Sequence, residues 1–214
     1  MPETSVRIRK LAFGAVAALG VLAATPALAD TAAVEAYAQQ TIDHGIGILK
    51  DTSLTEAARQ SEVRDFLLSI MDVNRIALYI LGPAAQSAPP ADVAAFETAF
   101  QAFTLANYEA QLGAYGGQTL KVVGATERAP GDYVVTANLV DPTDPPSSPP
   151  TPIAFRILDE GGGKYAIMDA NVEGVWFEKV QHDDAQGFLA QNGGSLPKLV
   201  DHLNAMAAGV ASAR

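Results

Sequence analysis

The chain has 214 residues, with 24 acidic side chains against 14 basic, three histidines and no cysteine. A formal net charge of −10 argues against nucleic acid and against a general anionic membrane surface as partners, since both repel a polyanion. The lack of cysteine excludes a disulfide framework and a thiolate nucleophile, so the fold must be held by its apolar core.

Arg7, Arg9 and Lys10 precede an apolar run from Leu11 to Ala24, followed by T-P-A-L-A before Asp30. This is the pattern of a secretory signal peptide, with Ala27 and Ala29 placed for cleavage before Asp30. The apolar run is shorter than the roughly 18 residues of a membrane span. No cysteine follows the cleavage site for lipoprotein attachment, and Ile8 separates the arginines, against a twin-arginine signal. Residues 1–29 are therefore expected to be removed and residues 30–214 to form one domain in the periplasm. Removal takes away Arg7, Arg9, Lys10 and Glu3, leaving 11 basic and 23 acidic residues, a net charge of about −12.

From Asp30 to about Tyr115 the apolar spacing predicts helices. Val34, Ala38, Ile42, Ile46 and Leu49 recur at three and four, the stripe of an amphipathic helix ending near Lys50. A second helix is expected from about Thr55, with Glu56 in its first turn and Val63, Phe66, Leu67 and Ile70 on its buried side. Asp72 is placed to N-cap a third, D-V-N-R-I-A-L-Y-I-L-G, stopped by Gly82 and Pro83. Pro89-Pro90 starts the longest helix, with Asp92 near its positive end. Phe96, Phe100 and Phe103 share one stripe of it, continued by Tyr108 and Tyr115, and Gly116-Gly117 closes it.

Four strands are expected next, at 120–123, 133–140, 153–158 and 165–172, separated by Gly, Pro and Asp clusters. Val135, Ala137 and Leu139 share one face of the second, and Ile153, Phe155 and Ile157 one face of the third, with Arg156 on the other. Short connections make the set an antiparallel meander. E-G-G-G-K, residues 160–164, is a tight turn with no helix after it, so it does not match a phosphate-cradling loop. Residues 141–152 carry six prolines, a stiff polyproline-like excursion. After Trp176 a short helix is expected from Asp183 or Asp184 through Phe188 and Leu189, then a last one capped by Ser195, with Leu196, Leu199, Val200 and Leu203 inward. The apolar faces predict a cavity lined by Phe66, Ile70, Ile76, Ile80, Phe100, Phe103 and Tyr108 on the helices and by Val135, Ala137, Leu139, Phe155, Ile157, Ile167, Val175 and Trp176 on the sheet.

No G-x-S-x-G elbow, H-E-x-x-H, dinucleotide fingerprint or cysteine nucleophile occurs. His44, His182 and His202 are scattered without metal-ligand spacing, so neither a metal nor another cofactor is expected. Asp169 is the one acid inside a predicted strand. It serves either as a structural acid, paired with Arg75 or backbone donors, or as the general base of a cavity enzyme of the nuclear-transport-factor type of α+β fold.

Four segments carry a family resemblance. Tyr165, Ile167, Asp169, Glu173, Gly174 and Val175 fit the strand-and-turn signature of the MlaC, or toluene-tolerance, family of periplasmic phospholipid-binding proteins, with Trp176 where that family usually has serine. The runs D-V-N-R-I-A-L-Y-I-L-G and F-x-x-x-F-x-x-F-x-x-x-x-Y are similar to its central helices, and G-G-S-L-P-K-L-V-D-H-L to its C-terminal helix. The resemblance implies an α+β fold: a helical N-terminal half packed on an antiparallel, strongly curved four-stranded sheet with C-terminal helices, enclosing an apolar cavity. It also implies that the residues predicted to line that cavity bind lipid. The implied function is a carrier, not an enzyme, that shuttles phospholipid between an outer-membrane lipoprotein complex and an inner-membrane ABC transporter with an MCE-domain subunit, as part of a lipid-asymmetry system. A hopanoid-linked carrier of the same family is the other lipid reading.

Overall fold

The computed structural model describes residues 26–113, 115–145 and 147–212, with residues 26–29 and 111–113 described by backbone alone. Of the expected signal peptide only residues 26–29 fall among them, as the start of a helix; the rest lies outside the described residues. The elements in chain order are α1 (Pro26–Lys50), α2 (Glu56–Ile70), α3 (Val73–Leu81), α4 (Ala84–Ser87), α5 (Pro90–Gly113), β1 (Thr119–Ala129), β2 (Asp132–Val140), β3 (Thr151–Gly161), β4 (Lys164–Val172), β5 (Val175–Trp176), α6 (Phe177–Gln191) and α7 (Leu196–Ser212).

Local chemistry sets the helix starts. The Thr55 hydroxyl accepts the Ala58 N–H at 3.2 Å and the Asp72 carboxylate accepts the Arg75 N–H at 3.0 Å, so each satisfies a donor that the first turn leaves open. α3 ends where Gly82 turns to a φ of 58°, a value that glycine tolerates at little cost. α6 covers that end: Gln186 donates to the carbonyls of Ile80 and Leu81 at 3.1 Å, and His182 Nδ1 lies 3.1 and 3.2 Å from those of Ile80 and Tyr79. Carbonyls only accept, so Nδ1 carries the proton.

The strands form one open antiparallel sheet in the order β1-β2-β3-β4-β5, five rather than the four expected. The fifth is the two-residue strand after the Glu173-Gly174 turn, where both residues have positive φ and Asn171 Oδ1 accepts the Gly174 N–H at 3.0 Å. β1 runs to Ala129, well beyond the expected Val123; a register shift between Val122 and Gly124 interrupts its alternation, which hides the continuation from a period-two pattern.

A bulge in β4 divides the molecule. Ile157 pairs with Ile167 and Arg156 with Asp169, leaving Met168 as the extra residue. Ile167 therefore faces α1, whereas Met168 and Asp169, though consecutive, both face the C-terminal helices. On that side Met168, Leu158 and Ala166 pack with Ile76, Ile80 and Leu81 of α3, Phe96 and Phe100 of α5, Leu189 of α6, and Leu199 and Leu203 of α7. On the other side Val34 and Ala38 of α1 pack on Tyr133, Val135 and Ile157. A third cluster joins Ile48 of α1, Val63 and Leu67 of α2 and Leu105 of α5. α5 thus belongs to two cores, one at each end.

α1 is tied to the sheet by polar contacts. Gln39 accepts the N–H of Val122 at 2.8 Å and donates to the carbonyl of Leu120 at 3.4 Å, both on the edge strand β1. The Tyr37 hydroxyl donates to the carbonyl of Tyr165 at 3.2 Å.

Asp169 does not pair with Arg75, which is exposed. Its carboxylate accepts the N–H groups of Glu178 and Ala170, each at 2.8 Å, and its cross-strand neighbour is Arg156. The Glu178 contact explains why α6 starts at Phe177 instead of Asp183: no side chain in the local sequence caps this helix, and the cap comes from the sheet. Arg156 holds Asp132 through two nitrogens at 3.1 and 3.2 Å and reaches Glu178 at 3.5 Å. Burial raises the carboxyls of both Asp169 and Glu178. That of Glu178 goes from 4.5 up to about 6, through burial first and the adjacent Asp169 second, with Arg156 pulling it down.

Two outcomes are expected. Between about pH 4.5 and 6 folded Glu178 keeps a proton that the unfolded chain has released, so its contribution to stability falls as pH rises through that window. Glu178→Gln cannot ionise; urea unfolding should show the variant gaining on wild type between pH 4.5 and pH 7, and a difference independent of pH would show that the carboxyl titrates normally. Gln39→Ala removes an exposed hydrogen bond to Asp43 and the two to β1; the latter, at about 0.5–1.5 kcal/mol each, should cost about 1–2 kcal/mol in the same assay. No measurable loss would mean that water replaces the amide fully at the β1 edge.

Candidate functional site: an apolar cavity between helices and sheet

A cavity of about 600 Å³ lies between the inner faces of α1 and α2 and the concave side of the sheet. α1 contributes Ala38, Thr41, Ile42, Gly45, Ile46 and Leu49, and α2 contributes Val63, Phe66, Leu67 and Ile70, each set at the three-and-four spacing of one helical face. Tyr108 of α5 and Leu120, Leu139, Ile153, Phe155, Ile157 and Ile167 of the sheet complete the apolar wall. Tyr108 remains a neutral phenol, its pKa pushed up to about 12 by burial and then by the charge of Asp169.

The two ends of the cavity differ. Where β2 and β4 begin, Tyr133 and Tyr165 pack with Val34 and Tyr37 and close it. Where β1 begins and β2 ends, the lining turns polar, with Tyr115, Gln118, Thr119 and Asp141, and the exposed Thr119 marks the mouth. Asp141 accepts the backbone N–H of Thr143 at 2.8 Å and Gln118 Nε2 at 2.7 Å. Contacts with Thr143, then Gln118, hold its carboxyl below the usual range, so it stays ionised.

One close approach shapes the wall. A Cβ built on Gly45 would stand 2.9 Å from Cε1 of Phe66, so glycine lets the Phe66 ring lie against the α1 backbone instead of in the cavity.

The cavity gathers Phe66, Ile70, Tyr108, Leu139, Phe155, Ile157 and Ile167 from the residues predicted to line it. The others lie elsewhere. Val135 and Ala137 are on the predicted face of β2 but fully buried, Val135 in the packed cluster under α1. Ile76, Ile80, Phe100 and Phe103 belong to the helical core on the other side; the last three line a separate cleft of about 370 Å³ with Phe188, Leu199 and Leu203. The phenylalanine spacing of α5 is real, but its stripe turns away from the cavity before Tyr108. Val175 is half exposed, and Trp176 lines a polar depression of about 390 Å³ with Arg128, Arg156, Asp169 and Lys179. The β4 bulge and the early start of α6 put both on that side. Asp169, the acid considered for catalysis, therefore sits on the face away from the apolar cavity.

Sequence reasoning left α1 out of the site, although its stripe of Ala38, Ile42, Ile46 and Leu49 was the signal that could have found it. The polar mouth gave no signal, since Gln118, Thr119 and Asp141 resemble ordinary loop residues. Among the described residues no group of three or more His, Asp or Glu could hold a metal ion, and no helix is long and apolar enough to cross a membrane.

A family model described as MlaC protein matches residues 39–205. Among solved structures, the chain is similar to the phospholipid-binding protein from Ralstonia solanacearum in complex with a phospholipid, with a TM-score of 0.70 at 17% identity, covering 83% of this chain and 98% of that one. No curated protein matches the chain. The family match runs from α1 into α7 and takes in every wall of the cavity except Ala38; the chain belongs to the MlaC protein family.

Proposed function

We propose that the chain is a carrier that holds a phospholipid with its acyl chains in the cavity between α1, α2 and the sheet. In this reading residues 1–29 are removed on export. The mature protein works in the periplasm, exchanging lipid with an outer-membrane lipoprotein complex and an inner-membrane ABC transporter that has an MCE-domain subunit. The observation that carries the proposal is the 600 Å³ cavity itself, apolar along its walls, closed at one end and polar at the other. Family membership and the likeness to a phospholipid-binding protein support it. Two acyl chains of ~15 methylenes each represent about 24 kcal/mol of transfer from water, at about 0.8 kcal/mol per methylene. A bilayer offers the same environment, so the protein shields the chains in transit rather than outcompeting the membrane. Asp169 is committed to α6, and the protein carries lipid without converting it.

Organic extraction of the purified, exported protein followed by mass spectrometry should yield phospholipid. A protein without lipid, or one holding polycyclic lipid, would overturn the phospholipid assignment. Leu139→Trp fills the cavity from the sheet side and should cut retained lipid several-fold while the far-UV CD spectrum stays near wild type. Gly45→Leu should do the same by driving the Phe66 ring inward, and adding Phe66→Ala should restore capacity. Full retention in both single variants would place the lipid outside this cavity.

A further inference from the structure

We propose that a small polar chamber beside the apolar cavity seats the phosphodiester of the lipid, with Arg59 and Tyr115 as its donors. The inference rests on the phospholipid reading above. The chamber has a volume of about 70 Å³ and includes Leu49, Val63 and Tyr115, which also line the apolar cavity, so the two spaces share a wall. It is lined on its polar side by Glu56, Arg59 and Glu109. It is small beside the 600 Å³ cavity, with room for a phosphate-sized group rather than for a pair of acyl chains.

Two buried groups in this chamber, Arg59 Nε and the Tyr115 hydroxyl, have no hydrogen-bond partner among the described residues. Buried donors are rarely left unpaired, because each forfeits its hydration without return. The acids are already engaged. Glu109 lies 2.7 Å from Arg64, and Glu56 takes Arg59 at 3.2 Å and Gln60 at 3.1 Å. The contact with Glu56 and another to the Asp51 carbonyl at 3.5 Å hold the guanidinium on the first turn of α2. What the chamber has to spare is donor capacity, including one N–H of a permanent cation. The matching ligand group accepts only and carries negative charge. A phosphodiester does both, and guanidinium is the side chain that recognises it most directly. With the phosphate here, the glycerol lies along the shared wall and the acyl chains enter the large cavity.

The test uses the full mature chain, stripped of lipid and loaded by detergent dilution from an equal mixture of palmitoyl-oleoyl phosphatidylglycerol and the diacylglycerol with the same chains. The bound ratio is read by mass spectrometry. Wild type should favour the phospholipid about tenfold, the scale of one charge-assisted hydrogen bond. Tyr115→Phe and Arg59→Gln should each bring the ratio several-fold closer to one, and Arg59→Lys, which keeps the charge, should recover part of it. Tyr115→Phe removes a single oxygen, so a reading remains even if an arginine variant folds poorly. An unchanged ratio in Tyr115→Phe and Arg59→Gln would overturn the proposal. Equal uptake of both lipids by wild type would overturn it while leaving the carrier reading intact, and uptake of neither would remove both. A second arm titrates inorganic phosphate into the lipid-free protein. Its ³¹P resonance should stay narrow; broadening that Arg59→Gln abolishes would assign the chamber to free phosphate and overturn the headgroup assignment.

Discussion

The hydrogen bond from the Glu178 N–H to the Asp169 carboxylate is the contact on which the arrangement of the molecule depends. It exists because the bulge at Met168 turns Asp169 to the helical side of the sheet. It anchors the first turn of α6, and α6 in turn covers the open carbonyls of α3 through His182 and Gln186. α3, α6 and α7 then enclose the N-terminal half of α5 in an apolar core. The burial cost of the acid is offset in part by backbone donors and by Arg156, and burial still holds its carboxyl above the usual range.

With the C-terminal helices committed to one face, the other face is covered by α1 and α2, and these do not fill it. An empty, dry void of 600 Å³ at about 24 cal/mol per Å³ would cost about 14 kcal/mol, comparable with the whole stability of a typical domain. The cavity is not sealed, so this cost is not incurred. The polar mouth at Thr119 and Asp141 admits water or ligand, while the tyrosine-lined end stays sealed. The apolar walls make the interior a poor place for water, so an apolar ligand would complete the packing that the protein leaves unfinished.

The legible parts of the fold were those governed by neighbours in sequence. Thr55 and Asp72 announce their helices because a capping side chain acts within three residues. The faces of β2 and β3 follow from strict alternation, which places Leu139, Phe155 and Ile157 together. The parts that were not legible depend on partners far along the chain. A phenylalanine stripe at 96, 100 and 103 identifies an apolar helix face but not the layer it meets. The start of α6 is invisible in local sequence because its cap comes from nine residues upstream and across a turn. A single extra residue, Met168, reverses the parity of β4 beyond it, which is why Ile167 lies in the cavity while Asp169 lies outside it. Arg59 carries no motif, and the burial of its Nε beside Tyr115 depends on packing between α1, α2 and the end of α5.

The division also bears on how the cavity is walled. The helical core is joined to the sheet by the Asp169 contact with α6 and by Leu158, Ala166 and Met168, which pack among the core residues of α3, α5, α6 and α7. α1 meets the sheet differently. Beyond Val34 and Ala38 its inner face lines the cavity, and its polar ties are the Gln39 amide on the β1 edge and the Tyr37 hydroxyl on β4. Each is worth about 1 kcal/mol. α1 lies chiefly along β1, so the wall it forms is held at the edge of the sheet and stands away from the strands that floor the cavity. Gly45 sits in that wall, where the Phe66 ring rests on the α1 backbone. A wall held at its edge and hollow beneath leaves room for an apolar ligand without loosening the half of the molecule packed around α5.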